Sequence, residues 1–426
     1  MQNPTQRFTA NPAVRLFGVV LAIAFCVWTI SEAGTFGLSR LFSRYAAGMQ
    51  NLPAAQKAAQ LTPADPEAHL ASAEVLTRAG QYADAILELE RSVALRPFDY
   101  SLWLNLGMLR DQTGDRTAAL LAFDEAVRRA PFYAEPRWQR GNVLLRSGRY
   151  DEAFKDLNQA ARSEPALIPN LIDLAWAVSK GDTRLTENLA QINTDQLHIV
   201  FAKLLARSGK ATEALEQVRA ARNIPGEVRR ELSELLLTKD AFAEAYEVFR
   251  SGQAKETKPT IHDGGFEAPL AFDLVGFGWR VARSIPAIAL GVDSAGQHSG
   301  SKSFKVEFKG DSMTEPPFIS QLMLVDPSKR YRINFASRSQ DLVTGSLPIV
   351  VVREASGARR KLGQSLPLAK GSQSWQVSSF EFDTPAETGA VFVGLQREPC
   401  AAAPCPAFGA IWLDSFSIEQ VGSAAK

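Results

Sequence analysis

The chain has 426 residues, room for about three domain-sized units, each with a core of its own. Lysine and arginine total 47 against 46 acidic residues, so the charge argues against a strongly basic nucleic-acid binder; 46% hydrophobic residues argue against wholesale disorder. Four scattered histidines and three cysteines make no zinc framework, and no nucleophile elbow appears, so the chain reads as non-catalytic.

Leu16 to Ile30 reads LFGVVLAIAFCVWTI, without a charge, and Arg7 and Arg15 precede it. A bilayer span takes about 17–25 apolar residues, so extension to Ala33 makes it marginal. Residues 1–34 are therefore expected to form a signal-anchor or transmembrane helix. Ser31-Glu32-Ala33 also has the form of a signal cleavage site, which keeps a cleaved signal open as the alternative.

The basic start orients the body away from the cytoplasm. Cys400 and Cys405, in EPCAAAPCPAF, are spaced to close a small disulfide loop in an oxidising compartment. Free loop thiols in a reducing compartment are the alternative. The expected location is a single-pass cell-membrane protein with an extracytoplasmic body, periplasmic in a bacterium. Residues 35–61 form a connecting helix, whose Leu38, Leu41, Phe42 and Tyr45 fall on one face.

Residues 62–253 repeat. Pro63, Pro97, Pro131 and Pro165 are 34 apart, and Gly80, Gly114 and Gly148 keep the same period, as do Ala85, Ala119 and Ala153. The unit is two amphipathic helices with glycine at the turn between them. With Trp103, Leu106, Gly107, Gly114, Ala119, Phe123, Ala126 and Pro131, the unit at 100–133 resembles the tetratricopeptide repeat. The units at 66–99 and 134–167 resemble it less closely, with His69 in place of the first-helix tryptophan; beyond Pro165 the phase loosens.

That resemblance implies an α-solenoid whose first helices line a concave face that binds a protein or peptide partner. His69, Asn105, Arg137, Arg140 and Asn142 are then candidate contacts. An ordinary solvated face with ion pairs is the plainer reading.

Residues 254–260 read as a linker. From 261 to 421 the helical period disappears, and apolar runs at 303–308, 318–325, 331–339, 347–354, 375–384, 390–398 and 410–420 alternate with turn signals. The fold class is thus multidomain, α then β, ending in an antiparallel β-sandwich or jelly roll.

Asp263-Gly264-Gly265-Phe266-Glu267, Gly278-Trp279, the run from His298 to Val306, Ser320-Gln321, Tyr331, Trp375 and Trp412-Leu413-Asp414 follow in an order that resembles the galactose-binding-like jelly roll of carbohydrate-binding modules. The resemblance implies a structural calcium held by Glu267 and Asp414, with backbone oxygens near Gly265 and Ser301; hydrogen bonding of these acids to backbone is the alternative. It also implies a sugar site, for which Gln321, Arg338 and Trp375 are the candidates, with Trp279 and Gln396 beside them. Trp279 and Trp412 read equally as core anchors.

The reading that follows is a membrane-anchored scaffold. The repeats bind a protein, and the β-domain binds carbohydrate in exopolysaccharide or envelope assembly. The alternative is a protein-only adaptor with a structural jelly roll.

Overall fold

The computed structural model describes residues 12–251, 261–272, 276–282, 285–315, 317–400 and 404–424. The expected linker at 254–260 lies outside the described residues. The chain divides into two compact units, Met1–Gln191 and Ile192–Lys426, which groups the last four helices with the sheets.

The first unit begins with one long helix, α1 (Pro12–Met49), followed by α2 (Leu52–Leu61). The expected boundary at residue 34 is absent from the backbone, because nothing there interrupts the helix. It ends instead where Gln50 takes a positive φ of 53° and Asn51 caps α2, its side chain accepting from Ala54 N at 2.9 Å. Three helix pairs follow: α3 (Pro66–Arg78) with α4 (Tyr82–Leu95), α5 (Tyr100–Gln112) with α6 (Arg116–Arg129), and α7 (Ala134–Arg146) with α8 (Tyr150–Ser163). A short 3₁₀ turn leads to α9 (Ile168–Val178) and α10 (Thr183–Ala190).

The 34-residue phase has a plain structural cause. Gly80, Gly114 and Gly148 adopt φ of 75°, 88° and 76°, and the amide after each bonds back to the first helix (Gln81 N to Leu76 O, 2.9 Å). Small residues sit where paired helices cross. A Cβ on Gly107 would lie 2.7 Å from the Phe123 ring, and one on Gly141 would lie 2.8 Å from Leu157.

The face of α1 that packs is not the one its large side chains suggest. Leu38, Leu41 and Tyr45 are exposed, and the buried positions are Ser39, Ser43 and Ala46. Close approach of helices favours small side chains. Ser39 Oγ donates to Ala58 O at 3.0 Å, while Ala46 packs with Ala55 and Val75.

The second unit holds α11 (Asp195–Arg207), α12 (Ala211–Ala220), α13 (Gly226–Leu237) and α14 (Phe242–Arg250). Eleven strands follow among the described residues: β1 (Ala271–Phe272), β2 (Arg280–Val281), β3 (Ile288–Asp293), β4 (Ser303–Asp311), β5 (Ile319–Leu324), β6 (Lys329–Thr344), β7 (Pro348–Glu354), β8 (Lys361–Gln364), β9 (Gly371–Asp383), β10 (Ala390–Arg397) and β11 (Pro406–Ser423). They form one sheet of order β1-β2-β5-β10-β7-β8 and another of order β3-β4-β11-β6-β9, antiparallel except for the β1–β2 pairing.

The sheets enclose Phe266, Phe304, Phe318, Tyr331, Phe335, Ile411 and Leu413. The sequence runs anticipate seven of these strands and miss β1, β2, β3 and β8. β1, β2 and β8 are two to four residues long, and β3, like β8, carries a glycine, so they show little alternation. Phe277 packs on Tyr246 and Phe249 of α14, with ring centroids 4.9 and 5.5 Å apart, so the last helix and the sandwich share an aromatic contact.

Candidate functional site

The first helices of three repeats carry different residues at one position, and all three do the same thing. His69 Nε2, Trp103 Nε1 and Arg137 Nε each donate to the carbonyl of the proline six residues earlier: Pro63 at 2.9 Å, Pro97 at 2.9 Å and Pro131 at 3.2 Å. Each also faces the residue nineteen positions on. His69 Nδ1 lies 2.6 Å from Glu88, and Arg137 Nη1 lies 3.2 Å from Asp156. Trp103 packs in one cluster with Ala122. In α11, His198 Nδ1 and Gln217 repeat the relation at 2.8 Å.

His69 is therefore not a partner contact as expected: it is only 6% exposed, with both ring nitrogens engaged. Arg137 is likewise committed to internal bonds. Arg140 joins it on Asp156, at 2.5 and 2.7 Å, and reaches Asp124 at 2.7 Å. Burial works against the Arg140 charge, but the bonds to Asp156 and then Asp124 outweigh it and hold its pKa above the ordinary value. These residues line a charged hollow of about 410 Å³ in which Arg137, Arg140 and Arg149 are paired with Asp124, Asp156 and Glu152.

Asn105 is placed differently. It lines a groove of about 370 Å³ between α3 and α5, with Leu70, Glu74, Arg78, Met108 and Gln112. Its side chain makes no hydrogen bond among the described residues, and Asn142, also half-buried, stands on α7 one period after Met108. Apolar floor, free amide and flanking charges are the chemistry that binds an extended peptide backbone. Sequence reasoning missed Glu74, Arg78, Met108 and Gln112. The signal was the i, i+3, i+7 spacing of 105, 108 and 112, on the face of α5 away from the packed Leu106.

In the β-domain the two acids expected to hold calcium are engaged by hydrogen-bond donors. Glu267 accepts from Ser301 N at 2.7 Å, Ser301 Oγ at 2.5 Å and Lys302 N at 3.1 Å. Asp414 accepts from the amides of His298, Ser299 and Ser415 at 2.8, 3.0 and 2.5 Å. A cation would compete with these N–H groups for the same lone pairs, so the donor set does not fit one. Among the described residues, no group of three or more His, Cys, Asp or Glu is arranged around a metal position. The Ser301 hydroxyl, then its amide, hold the Glu267 carboxyl below the ordinary value.

The sugar candidates separate. Gln321 is corrected to a structural role: it is 1% exposed, and its amide pairs with the backbone of His262, at 2.7 Å to N and 2.8 Å to O. Gln396 is likewise buried, donating to Glu315 at 2.9 Å. Trp279 is buried against Phe266.

Arg338 and Trp375 are half-buried. Arg338 lies over the Trp412 ring at 4.9 Å, and Lys305 flanks the same ring at 5.3 Å. Register puts Lys305, Trp412 and Arg338 side by side on β4, β11 and β6. Trp375 on β9 lies 5.7 Å from the His298 ring. Trp412 is fixed by its indole N–H donating to Asp293 at 2.7 Å, which with the Ala295 amide holds that carboxyl below the ordinary value.

A disulfide joins Cys400 and Cys405, with Cα atoms 6.2 Å apart. Beside it Arg397, wholly buried, donates to Ser346 O, Ser312 O, Thr344 Oγ1 and Cys405 O at 2.8–3.1 Å. Among the described residues no carboxylate pairs with it in the hydrogen-bonding shell, and burial pushes its pKa down.

Helix pairs with turn glycines, stacked at a fixed period, define a tetratricopeptide-repeat solenoid, here followed by a β-sandwich. Residues 42–100 and 104–167 match the tetratricopeptide repeat family. Over 103 residues the chain is 31% identical to DnaJ homolog subfamily C member 3 of Homo sapiens and of Bos taurus, covering 24% of this chain. It spans about a fifth of those relatives' length, 20% in each.

Among solved structures, MamA from Desulfovibrio magneticus RS-1 is 16% identical over 44% of this chain and 98% of its own, with a TM-score of 0.33. The TPR protein YrrB, described as having an unusual peptide-binding site, is 19% identical over 37% of this chain and 82% of its own, TM-score 0.31. A CBM4 structure is 14% identical over 38% of this chain and 99% of its own, TM-score 0.29.

Proposed function

We propose that the protein is a non-catalytic scaffold, anchored in the cell membrane by α1, whose repeats bind an extended segment of a protein partner. The groove between α3 and α5 carries this reading. It pairs an apolar floor (Leu70, Met108) with the Asn105 amide and with Glu74 and Arg78 at its rim. α1 supports the anchor, since Leu16–Met49 is long and apolar enough to cross a bilayer and its most apolar stretch is exposed. The test is capture of immobilised linear peptides by the full chain. Met108→Glu and Asn105→Ala should each reduce capture by tenfold or so, about 1.4 kcal/mol; Asn105→Ala should do so without lowering the melting temperature, whereas Met108 also packs on the core around Phe123. Equal capture by both variants refutes this groove as the site.

A second reading assigns carbohydrate binding to the outer face of β4, β11, β6 and β9. Arg338 makes no ion pair among the described residues, and it lies on the same sheet as the partly exposed Trp375. Aromatic face and guanidinium donors suit a sugar ring. Binding of the full chain on a glycan array, lost in Trp375→Ala, tests it. If no glycan binds, the sandwich is left as a structural adaptor.

A further inference from the structure

The two edges of the repeat array differ. One is formed by the turns that enter each repeat, at the N-terminal ends of α3, α5 and α7. The other is formed by the turns inside each repeat. Phe98 and Phe132 stand on two successive entry turns, one 34-residue period apart, and are 87% and 83% exposed. Tyr133 is exposed beside them, its ring 5.0 Å from that of Tyr100. The inner turns instead present Gln81, Asp115, Arg116 and Arg149, with Tyr150 their one large exposed ring among the described residues. Two exposed phenylalanines in equivalent positions are a repeated surface feature that packing does not require.

The direction of α1 says what this edge faces. Arg40 of α1 binds Asp65, the cap of α3, at 2.8 Å, and Arg78 at the far end of α3 donates to Ala47 O at 3.0 Å. α1 and α3 therefore run parallel. α5 and α7 continue the same sense, since Tyr100 and Tyr133 meet at their starts and Asp111 and Arg146 at their ends. The entry turns thus lie at the end of the array nearer the apolar run Leu16–Ile30, and the inner turns lie at the far end.

The level also agrees. A hydrocarbon core of about 30 Å takes roughly 20 helical residues, so a core starting at Leu16 ends near Thr35. Arg40 then lies about 7 Å further on, within the head-group layer. Phe36 and Leu41 are exposed on α1 at this level. Part of the charge of the entry turns is paired internally, Asp65 with Arg40 and Arg96 with Glu67, while Asp99 caps the Ser101 amide and Glu135, beside Phe132, stays exposed. An interfacial rather than hydrocarbon depth keeps the Glu135 and Asp99 carboxylates in the hydrated head-group layer.

We propose that this edge lies against the membrane surface beside α1, with Phe98 and Phe132 in the interfacial layer. It holds the repeats in a fixed orientation to the bilayer. The proposal rests on the reading of α1 as a spanning anchor.

The test uses the full chain in nanodiscs of phosphatidylcholine and phosphatidylglycerol. Nitroxide labels are placed at Phe98→Cys, Phe132→Cys and, on an inner turn, Thr113→Cys, each in a Cys26→Ser background. Accessibility to oxygen is compared with accessibility to a water-soluble nickel chelate. A label on native Cys26, the free cysteine on the apolar run, reports the anchor separately. All three labelled positions are exposed, so folding is not at stake, and circular dichroism checks it.

The expected result is an oxygen-to-nickel ratio several-fold higher at 98 and 132 than at 113. Equal ratios at all three, with Cys26 deep in the bilayer, overturn the edge proposal and leave the anchor standing. Cys26 exposed to nickel overturns the anchor and the proposal with it.

Discussion

The His69 imidazole and the Glu88 carboxylate meet at 2.6 Å in one repeat, in the places that Trp103 and Ala122 fill in the next. A large aromatic beside a methyl and a smaller ring beside a carboxylate fill one slot, and both donate to the same proline carbonyl. The repeat thus needs volume and one N–H at this point rather than a particular residue. Substitution tests this. His69→Ala should cost about 1–3 kcal/mol, because it orphans the Pro63 carbonyl, opens a cavity and leaves the half-buried Glu88 with Arg91 alone. His69→Trp alone should also destabilise, by crowding Glu88. The double variant His69→Trp with Glu88→Ala should recover most of the loss, which a double-mutant cycle of denaturant midpoints will read as strong coupling.

Gly107 should not tolerate a methyl group. A Cβ there would sit 2.7 Å from the Phe123 ring. Gly107→Ala is expected to cost about 1–3 kcal/mol despite the better helix propensity of alanine. Adding Phe123→Leu should return part of the loss. A stabilised single variant, seen by thermal melting, would contradict this packing.

Arg397 is a buried cation of the sandwich. It satisfies five backbone or hydroxyl acceptors between the sheets and the disulfide loop. Arg397→Met should remove the guanidinium donors from all of them, leaving Ser346 O and Thr344 Oγ1 only their mutual bonds, and cost about 3 kcal/mol or more. Arg397→Lys should rescue little, since one ammonium cannot span the fork. A methionine variant as stable as the parent would show that water replaces the guanidinium.

Glu267 sets an acid limit. Its carboxyl titrates below the ordinary 4.5, so its bonds to Ser301 and Lys302 add stability above that pH and lose it as pH falls through the lower folded value. Glu267→Gln should flatten this part of the profile. Calcium and chelator should leave the melting temperature alike. A calcium-dependent rise of several degrees would mean that the carboxylates of Glu267 and Asp414 turn from their amide donors to a cation.

Much of the helical half was legible. Proline, glycine and alanine at a 34-residue spacing locate α3 to α8 because backbone geometry demands those types at fixed points. The concave-face candidates fared unevenly, because periodicity names a face without saying which side chains find partners. Asn105 remains in a groove, while His69 and Arg137 turn inward to Glu88, Asp156 and the proline carbonyls. The same limit held for Gln321: alternation put it on a strand, and only the return of His262 beside β5 consumed its amide.

By itself the sequence determined the order of parts: an apolar helix, a repeat array and a β-sandwich. These follow from local periods of 3.6, 34 and 2, which any stretch of chain displays without its neighbours. Tertiary structure alone decided which polar groups are spent. Glu267 and Asp414 close on amides brought from 34 and 116 residues away in sequence. Phe98 and Phe132 share an edge with the base of α1 only because α1, α3, α5 and α7 stack in parallel. Such meetings depend on long-range packing, and no local pattern encodes them.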